Sequence, residues 1–300
     1  MSHPRSLLTL LDLSRPDLES LWLASAGWKS QRVRRRLRFA DRRVATIFDA
    51  TSFRTRLAYD TAIDAVGAHR VDVPLVLGQR ETVSDTAAIL SGAVDAVVVR
   101  ARDHAAVCEL AEVCEVPVIN AMTDGGHPVE VFSEAYTIFE RRGPLNDVTL
   151  TFVGEDSNVL RSWCELTVPF ALRVRQVCPP GHGLHEDFLA ELAAHGQRGS
   201  VTVGHDLAEG VSGTDVIYTD VWPTSARTPG RRRTAFEPYR VTTDVLDEAG
   251  PDVMLMHVMP VHRGDEVSAE AFDDPRSVTF AAKRNLAPTH AAIVEWVLGG

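Results

Sequence analysis

The sequence predicts an α/β protein: two doubly wound parallel-sheet domains joined by a helix. Three observations carry that reading. Short runs rich in β-branched and apolar residues alternate with helical patterns along the chain, as expected of parallel sheets covered on both faces. A longer helical stretch, from Val129 to Arg141, ends at the stop signal Gly143-Pro144, and the alternation then restarts. Finally, 300 residues with 45% hydrophobic content can bury one large core or two moderate ones, and the length favours two. The division is placed at 1–142 and 143–286.

The elements follow in order. Ser14-Arg15-Pro16-Asp17 is a helix start, with a capping hydroxyl, an early proline and an acid in the first turn. Leu18, Leu21, Trp22 and Leu23 give that helix its apolar face. Next come a predicted strand at 44–48, a helix to Gly67, a strand at 69–73, a helix from Asp85 to Ser91, a strand at 96–99, a helix near 105–113 and a strand at 116–120. Beyond the linking helix the sequence predicts strands at 148–153, 172–177, 200–203, 215–220, 253–257 and 277–280. Helices are predicted from Asn158, near 185–194, and after Pro288. No low-complexity segment or internal repeat is visible.

Composition removes several classes of function. A net charge of −10 argues against a nucleic-acid partner, which needs a basic domain or stripe. Cys108, Cys114, Cys164 and Cys178 form no C-x-x-C and no paired metal spacing, so reduced structural thiols are expected. No basic-plus-apolar leader opens the chain, and no apolar run approaches the ~20 residues that span a bilayer. A soluble cytoplasmic protein with no membrane partner is the expectation. The sequence has no G-x-S-x-G, no G-x-x-x-x-G-K-[ST] and no H-E-x-x-H. His182-Gly183-Leu184-His185-Glu186 lies in a Pro/Gly-rich turn and reads as a polar loop. Neither metal nor cofactor is expected.

The chemistry concentrates at Ser52-Phe53-Arg54-Thr55-Arg56, between the apolar run ending at Phe48 and an amphipathic segment. This is a strand, a turn and a helix start. A helix N-terminus offers unpaired N–H groups and a positive dipole end to an anion. Arginine adds planar forks suited to phosphate oxygens, and Ser and Thr add short donors. Taken alone, the segment is equally a capped helix with solvated arginines.

The segment resembles the S-T-R-T-R phosphate signature of the aspartate/ornithine carbamoyltransferase family, and further landmarks follow in family order. They are Leu7 to Ser14, Gly78-Gln79-Arg80-Glu81-Thr82, Val99-Arg100, Val116 to Asn120, His127-Pro128, Gly154 to Asn158, Asp215 to Trp222, Pro238-Tyr239 and His257-Val258-Met259-Pro260. The resemblance runs from about residue 7 to the C-terminus. It implies a C-terminal helix that crosses back, so that 287–300 completes the first domain. It also implies transfer of a carbamoyl group from carbamoyl phosphate to a small amino compound. Such chemistry needs an anion clamp, donors aimed at the carbonyl oxygen and a pocket that orients the amine. The implied clamp is Ser52, Phe53, Arg54, Thr55, Arg56 and Arg100, with His127, Arg100 and Thr55 as catalytic residues. In relatives the loop around Gly78 reaches a neighbouring subunit, so a homotrimer is implied, with Arg80 completing the phosphate site in trans. Asp220 and Asn158 fall where the ornithine-type branch holds its acceptor.

Four departures from the family pattern surround the transferred group and the acceptor. Glu130 stands where the family has a glutamine that touches the carbamoyl NH2. His257-Val258-Met259-Pro260 replaces H-C-L-P and removes a thiol; a cis bond is expected before Pro260. Arg284-Asn285-Leu286 puts Asn285 at the position of an arginine that reaches the carbonyl oxygen, with Arg284 as its candidate substitute. Lastly, Asp220-Val221-Trp222-Pro223-Thr224-Ser225-Ala226 replaces D-x-W-x-S-M-G, with Thr224 and Ser225 supplying hydroxyls, and runs into an arginine-rich segment. These changes favour an acceptor other than plain ornithine. Two alternatives remain open at this point: a different phosphorylated or acyl phosphate donor, and a non-catalytic anion-binding protein.

Overall fold

The computed structural model describes residues 4–30, 38–49, 51–222 and 231–299, with the backbone alone for 231–233. The chain forms two compact units, Met1–Thr137 with Arg284–Gly300, and Ile138–Lys283. It leaves the first unit within one long helix, α5 (Pro128–Arg142), and returns within another, α12 (Thr279–Leu298).

The first unit holds strands β1 (Arg43–Phe48), β2 (His69–Asp72), β3 (Ala96–Arg100) and β4 (Val118–Met122). Its helices are α1 (Arg15–Ser30), α2 (Phe53–Val66), α3 (Val83–Ser91) and α4 (His104–Val113), with the flanking portions of α5 and α12. The four strands are parallel in the order β2-β1-β3-β4, and Leu7 adds a single bridge to Ile119 at the far edge. β3 is Ala-Val-Val-Val-Arg and buried up to Arg100, because both faces of the sheet are covered. On one face Ala45, Ile47, Val97 and Val99 pack with Val83, Leu90, Val107 and Leu110. α2 ends at Gly67, whose φ of 83° is the left-handed cap conformation that glycine reaches without a Cβ penalty.

The second unit holds β5 (Thr149–Val153), β6 (Arg173–Val177), β7 (Ser200–Gly204), β8 (Val216–Thr219) and β9 (Met254–His257), parallel in the order β7-β6-β5-β8-β9. Its helices are α6 (Asn158–Glu165), α7 (Glu186–Ala194), α8 (Leu207–Val211), α9 (Arg231–Phe236), α10 (Thr243–Ala249) and α11 (Ala269–Phe272). Thr82, Asp103, Ser157, Asp206, Thr242 and Ser268 each accept a backbone N–H in the first turn of the helix that follows, satisfying donors the helix cannot pair internally. The short helices α8, α10 and α11 are missing from the sequence reading; at four to seven residues they are too short for a helical period, and only their caps announce them.

Two predicted elements change. The strand predicted at 277–280 is one bridge, Leu255 to Ser277, after which the chain is already helical. The final helix begins at Thr279 and continues through Pro288 rather than starting after it. Proline removes one backbone donor from the ladder, and beside it the Thr289 hydroxyl donates toward the carbonyls of Asn285 and Leu286 at 2.7 and 3.0 Å. Among the described residues no helix is long and apolar enough to cross a membrane.

Gly199 makes the tightest backbone approach among the described glycines. A Cβ there would lie 2.0 Å from the Leu172 carbonyl oxygen, where the turn before β7 meets the turn before β6. Gly199→Ala forces backbone to move and is expected to cost at least about 3 kcal/mol, read as a lowered urea midpoint.

Candidate functional site

In an open α/β sheet ligands bind beyond the carboxyl ends of the strands, where the strand order reverses. In the first unit that point lies between β1 and β3. The two strand ends are stitched together: the Asp49 N–H donates to the Arg100 carbonyl at 3.1 Å, and Asp49 Oδ2 accepts the Arg102 N–H at 2.9 Å. This sets Arg100, at the end of β3, beside the turn that opens α2.

Ser52 is the N-cap residue of α2, yet its side chain makes no capping bond, and among the described residues its buried hydroxyl oxygen has no hydrogen-bond partner. Capping therefore does not account for this hydroxyl. Buried Thr55 accepts from the Arg100 guanidinium at 2.8 Å. Arg54 lies over the Phe53 ring, 5.0 Å from its centroid. Burial lowers the pKa of Arg100; Arg54 pushes the same way, while Glu130 and Asp49 oppose it.

His127 precedes α5 and Glu130 sits in its first turn; both are buried, with His127 Nε2 3.9 Å from Glu130 Oε2. The turn that delivers His127 is anchored to α4. His104 donates its backbone N–H to Asp124 Oδ1 at 3.1 Å, and its Nδ1 lies 2.8 Å from the Thr123 hydroxyl. Gly125 lets the turn close over the His104 ring, since a Cβ there would be 2.6 Å from the ring. Ser52, Arg54, Thr55 and Arg100 thus lie at the carboxyl ends of β1 and β3, and the buried pair His127 and Glu130 at the start of α5, with Glu130 close enough to Arg100 to act on it electrostatically.

Other predicted residues lie elsewhere. Arg56 donates to Asp72 at 2.9 Å and stacks 4.7 Å over Phe48, so it belongs to the β1–β2 side and not with Arg100. It lines a hollow of about 430 Å³ together with Asp49, Gln79 and Arg80. Asn285 is 1% exposed and donates to the Thr137 hydroxyl at 2.9 Å, which ties α12 to α5. Arg284, its neighbour, is on the exposed side of α12, because adjacent helical positions point about 100° apart. The structure does not bring Arg284 to the Arg100 group.

In the second unit the strand order reverses between β5 and β8. Asn158 opens α6 just past β5, and Asp220 follows β8, so both lie at that switch. Asp220 Oδ1 accepts the Val221 N–H at 2.7 Å. Burial raises the pKa of Asp220 and Glu266 pushes it further; His257, the Val221 N–H and Lys283 oppose the shift.

His257, at the end of β9, is fixed as one tautomer by its hydrogen bonds. Its Nδ1 accepts the Met259 N–H at 2.9 Å, so the proton resides on Nε2 and is donated to Glu266 Oε1 at 3.0 Å. Glu266, fully buried, also accepts the His262 N–H at 2.6 Å. Val258 is buried, and the Met259–Pro260 bond is cis, as the sequence leads one to expect. Thr224 and Ser225 lie outside the described residues. Glu266 and Lys283 are the residues sequence reasoning missed. Lys283 carried a signal, being one of only two lysines in the chain; Glu266 had none beyond a position four residues after His262.

Two sequence profiles cover this chain. The one described as the aspartate/ornithine carbamoyltransferase carbamoyl-P binding domain matches residues 5–140, and that of the Asp/Orn binding domain matches 146–297. The chain belongs to the aspartate/ornithine carbamoyltransferase family. Among relatives of the family, an ornithine carbamoyltransferase of Rhodopseudomonas palustris (strain BisA53) is 34% identical over 99% of this chain and 98% of its own length. One from Parafrankia sp. is 38% identical over 86% of this chain and 83% of its own length. The solved structure of ornithine carbamoyltransferase from Pyrococcus furiosus superposes with a TM-score of 0.92 at 33% identity, covering 99% of this chain and 98% of that one. As a member of this family the protein is a transferase of the carbamoyltransferase type.

Proposed function

We propose that the protein transfers a carbamoyl group from carbamoyl phosphate to the amine of an amino-acid-like acceptor other than ornithine. The observation that carries the donor is the Arg100–Thr55 bond at 2.8 Å beside the buried Ser52 hydroxyl at the start of α2, which has no partner among the described residues. In this reading Ser52, Arg54 and the first N–H groups of α2 hold the phosphate, while Arg100, Thr55 and His127 donate to the carbonyl oxygen as it becomes an oxyanion. Asp220 and Asn158 take the acceptor's polar groups. The change of acceptor is supported by Val258 in place of a thiol, by residues 223–226 departing from the S-M-G pattern, and by a carboxylate at Glu130. Arg80 completes the phosphate site of a neighbouring copy in a homotrimer; sedimentation showing a monomer would remove that part.

The test pairs calorimetry with an amine panel. Carbamoyl phosphate is expected to bind more tightly than inorganic phosphate, and a ureido product is expected from amino-acid amines, with ornithine among the poorer ones. Citrulline formed at ordinary enzyme rates would return the acceptor to ornithine. Equal affinity for the two phosphates would mean that the donor is a different phosphorylated compound, a reading in which Asn285, tied to Thr137, no longer serves the carbamoyl half.

A further inference from the structure

We propose that β7 is an association edge, where two copies of this chain join their second-unit sheets through an antiparallel β7–β7 pair. A strand at the rim of a sheet leaves a row of N–H and C=O groups unpaired. Folds ordinarily blunt such rims with charge, proline or a covering segment. The other three rims of the two sheets are blunted in this way. Leu7 covers β4, donating to the Val118 carbonyl at 2.9 Å and accepting the Asn120 N–H at 2.8 Å. The Ser277 segment covers β9: the Leu255 N–H donates to the Arg276 carbonyl at 3.0 Å, and the Leu255 carbonyl accepts the Val278 N–H at 2.9 Å. β2 reads His-Arg-Val-Asp, with Arg70 paired to Asp60, and Pro74 comes soon after. β7 has none of these devices. It reads Ser-Val-Thr-Val-Gly, its residues are exposed or half-buried, and among the described residues nothing bridges its outer side.

The backbone of β7 fixes which groups are free. The Ser200 N–H donates to the Leu172 carbonyl at 3.0 Å, and the Gly204 carbonyl accepts the Cys178 N–H at 3.1 Å, so both residues face β6. Backbone groups alternate sides along a strand, so Thr202 faces β6 as well, while Val201 and Val203 turn their N–H and C=O outward. A second β7 laid antiparallel, with Thr202 opposite its own copy, sets Val201 against Val203 of the other chain. That pair exchanges both backbone bonds, and the two-fold axis repeats the exchange. Thr202 then meets its copy as the close, non-hydrogen-bonded pair, with Cα atoms about 4.5 Å apart. The valines share one face of the sheet and form β-branched cross-strand pairs.

Charge selects both the register and the occupant. Exposed Arg198 precedes β7 and exposed Asp206 follows it, each the same distance in sequence from Thr202. The antiparallel register centred on Thr202 therefore sets Arg198 against Asp206 of the other copy at both ends. Sliding the strands to centre on Val201 or Val203 sets Arg198 against Gly204 or Ala208 instead. Opposite charges facing across a strand pair favour it, and like charges oppose it. Asp206 Oδ1 accepts the Glu209 N–H at 3.0 Å, which leaves Oδ2 for the arginine. A segment complementary to itself in backbone bonds and in charge fits a second copy, the isologous contact of a two-fold pair. Pairing at β7 doubles whatever assembly the rest of the chain forms.

The test uses the full-length protein. Thr202 is exposed, so Thr202→Lys leaves the fold intact while setting two ammonium groups against each other across the axis. Sedimentation is expected to give this variant half the mass of the unaltered protein. The second measurement is a cross-link. Thr202→Cys sets two thiols opposite one another at about 4.5 Å between Cα atoms, within reach of a disulfide. Ser200→Cys lies on the same face of β7 but about 13 Å from its copy, and serves as the control. Mild oxidation is expected to join Thr202→Cys chains about tenfold faster than Ser200→Cys chains. The unaltered protein, whose Cys108 is half-buried and other cysteines buried, accounts for any background. Equal masses for the unaltered and Thr202→Lys proteins would overturn the proposal, leaving the edge free or open to a different protein. Cross-linking of Ser200→Cys as fast as Thr202→Cys would overturn it too. Either result leaves the proposed carbamoyl transfer standing.

Discussion

Arg100→Met is expected to lower kcat/KM for the ureido product by about three orders of magnitude. One oxyanion donor alone is worth about 100- to 1,000-fold, and here the same guanidinium also orders Thr55 and offsets Glu130. The second role gives the prediction a structural signature. Without Arg100 the buried Glu130 loses a cationic neighbour, and weakening the compensation of a buried charge costs on the order of 3 kcal/mol. The single variant is therefore expected to be less stable at neutral pH. The double variant Arg100→Met with Glu130→Gln recovers the urea midpoint at neutral pH and recovers no activity. A double variant as unstable as the single one would show that Glu130 is balanced by something other than Arg100; near-normal kcat/KM in the single variant would remove Arg100 from the chemistry.

Much of this arrangement was legible in the sequence, for reasons that particular residues make plain. The strands of both sheets were legible because Val97-Val98-Val99 and Thr149 to Val153 are continuous apolar and β-branched runs, which only a sheet covered on both faces tolerates. The grouping of Ser52, Thr55 and Arg100 was legible because each lies at a strand end or helix start, where open sheets place ligands. Side-chain direction was not. Arg54 and Arg56 are two residues apart on α2, about 200° around the helix, and Arg56 finds Asp72 on the neighbouring strand instead. Nor was long-range pairing: nothing in the sequence joins Glu266 to His257 before the fold puts them 3.0 Å apart. The start of α12 was misread because Ser277-Val278-Thr279-Phe280 has strand composition, and one bridge to Leu255 was all the sheet could take before helix packing prevailed.

That missed pair governs the second large effect, at Asp220. Asp220→Asn is expected to raise the KM of the acceptor amine about 100-fold, the weight of a charge-assisted hydrogen bond in a partly desolvated site. The pH dependence tests the cause. Burial, aided by Glu266, keeps Asp220 protonated to higher pH than an exposed aspartate. Only the carboxylate holds an amine or ammonium group, so kcat/KM for the acceptor falls as pH drops through that raised pKa. Stability moves the opposite way. With the folded pKa above the unfolded one, the folded state binds more protons in the window between them, so stability declines as pH rises through it. Asp220→Asn abolishes both slopes. Glu266→Gln keeps an oxygen to accept from His257 Nε2 and from the His262 N–H, but removes the negative charge that raises Asp220. Its acidic limb therefore shifts to lower pH while the fold persists. An unshifted limb in Glu266→Gln would assign that titration to another group, and an unchanged acceptor KM in Asp220→Asn would take Asp220 out of the acceptor site.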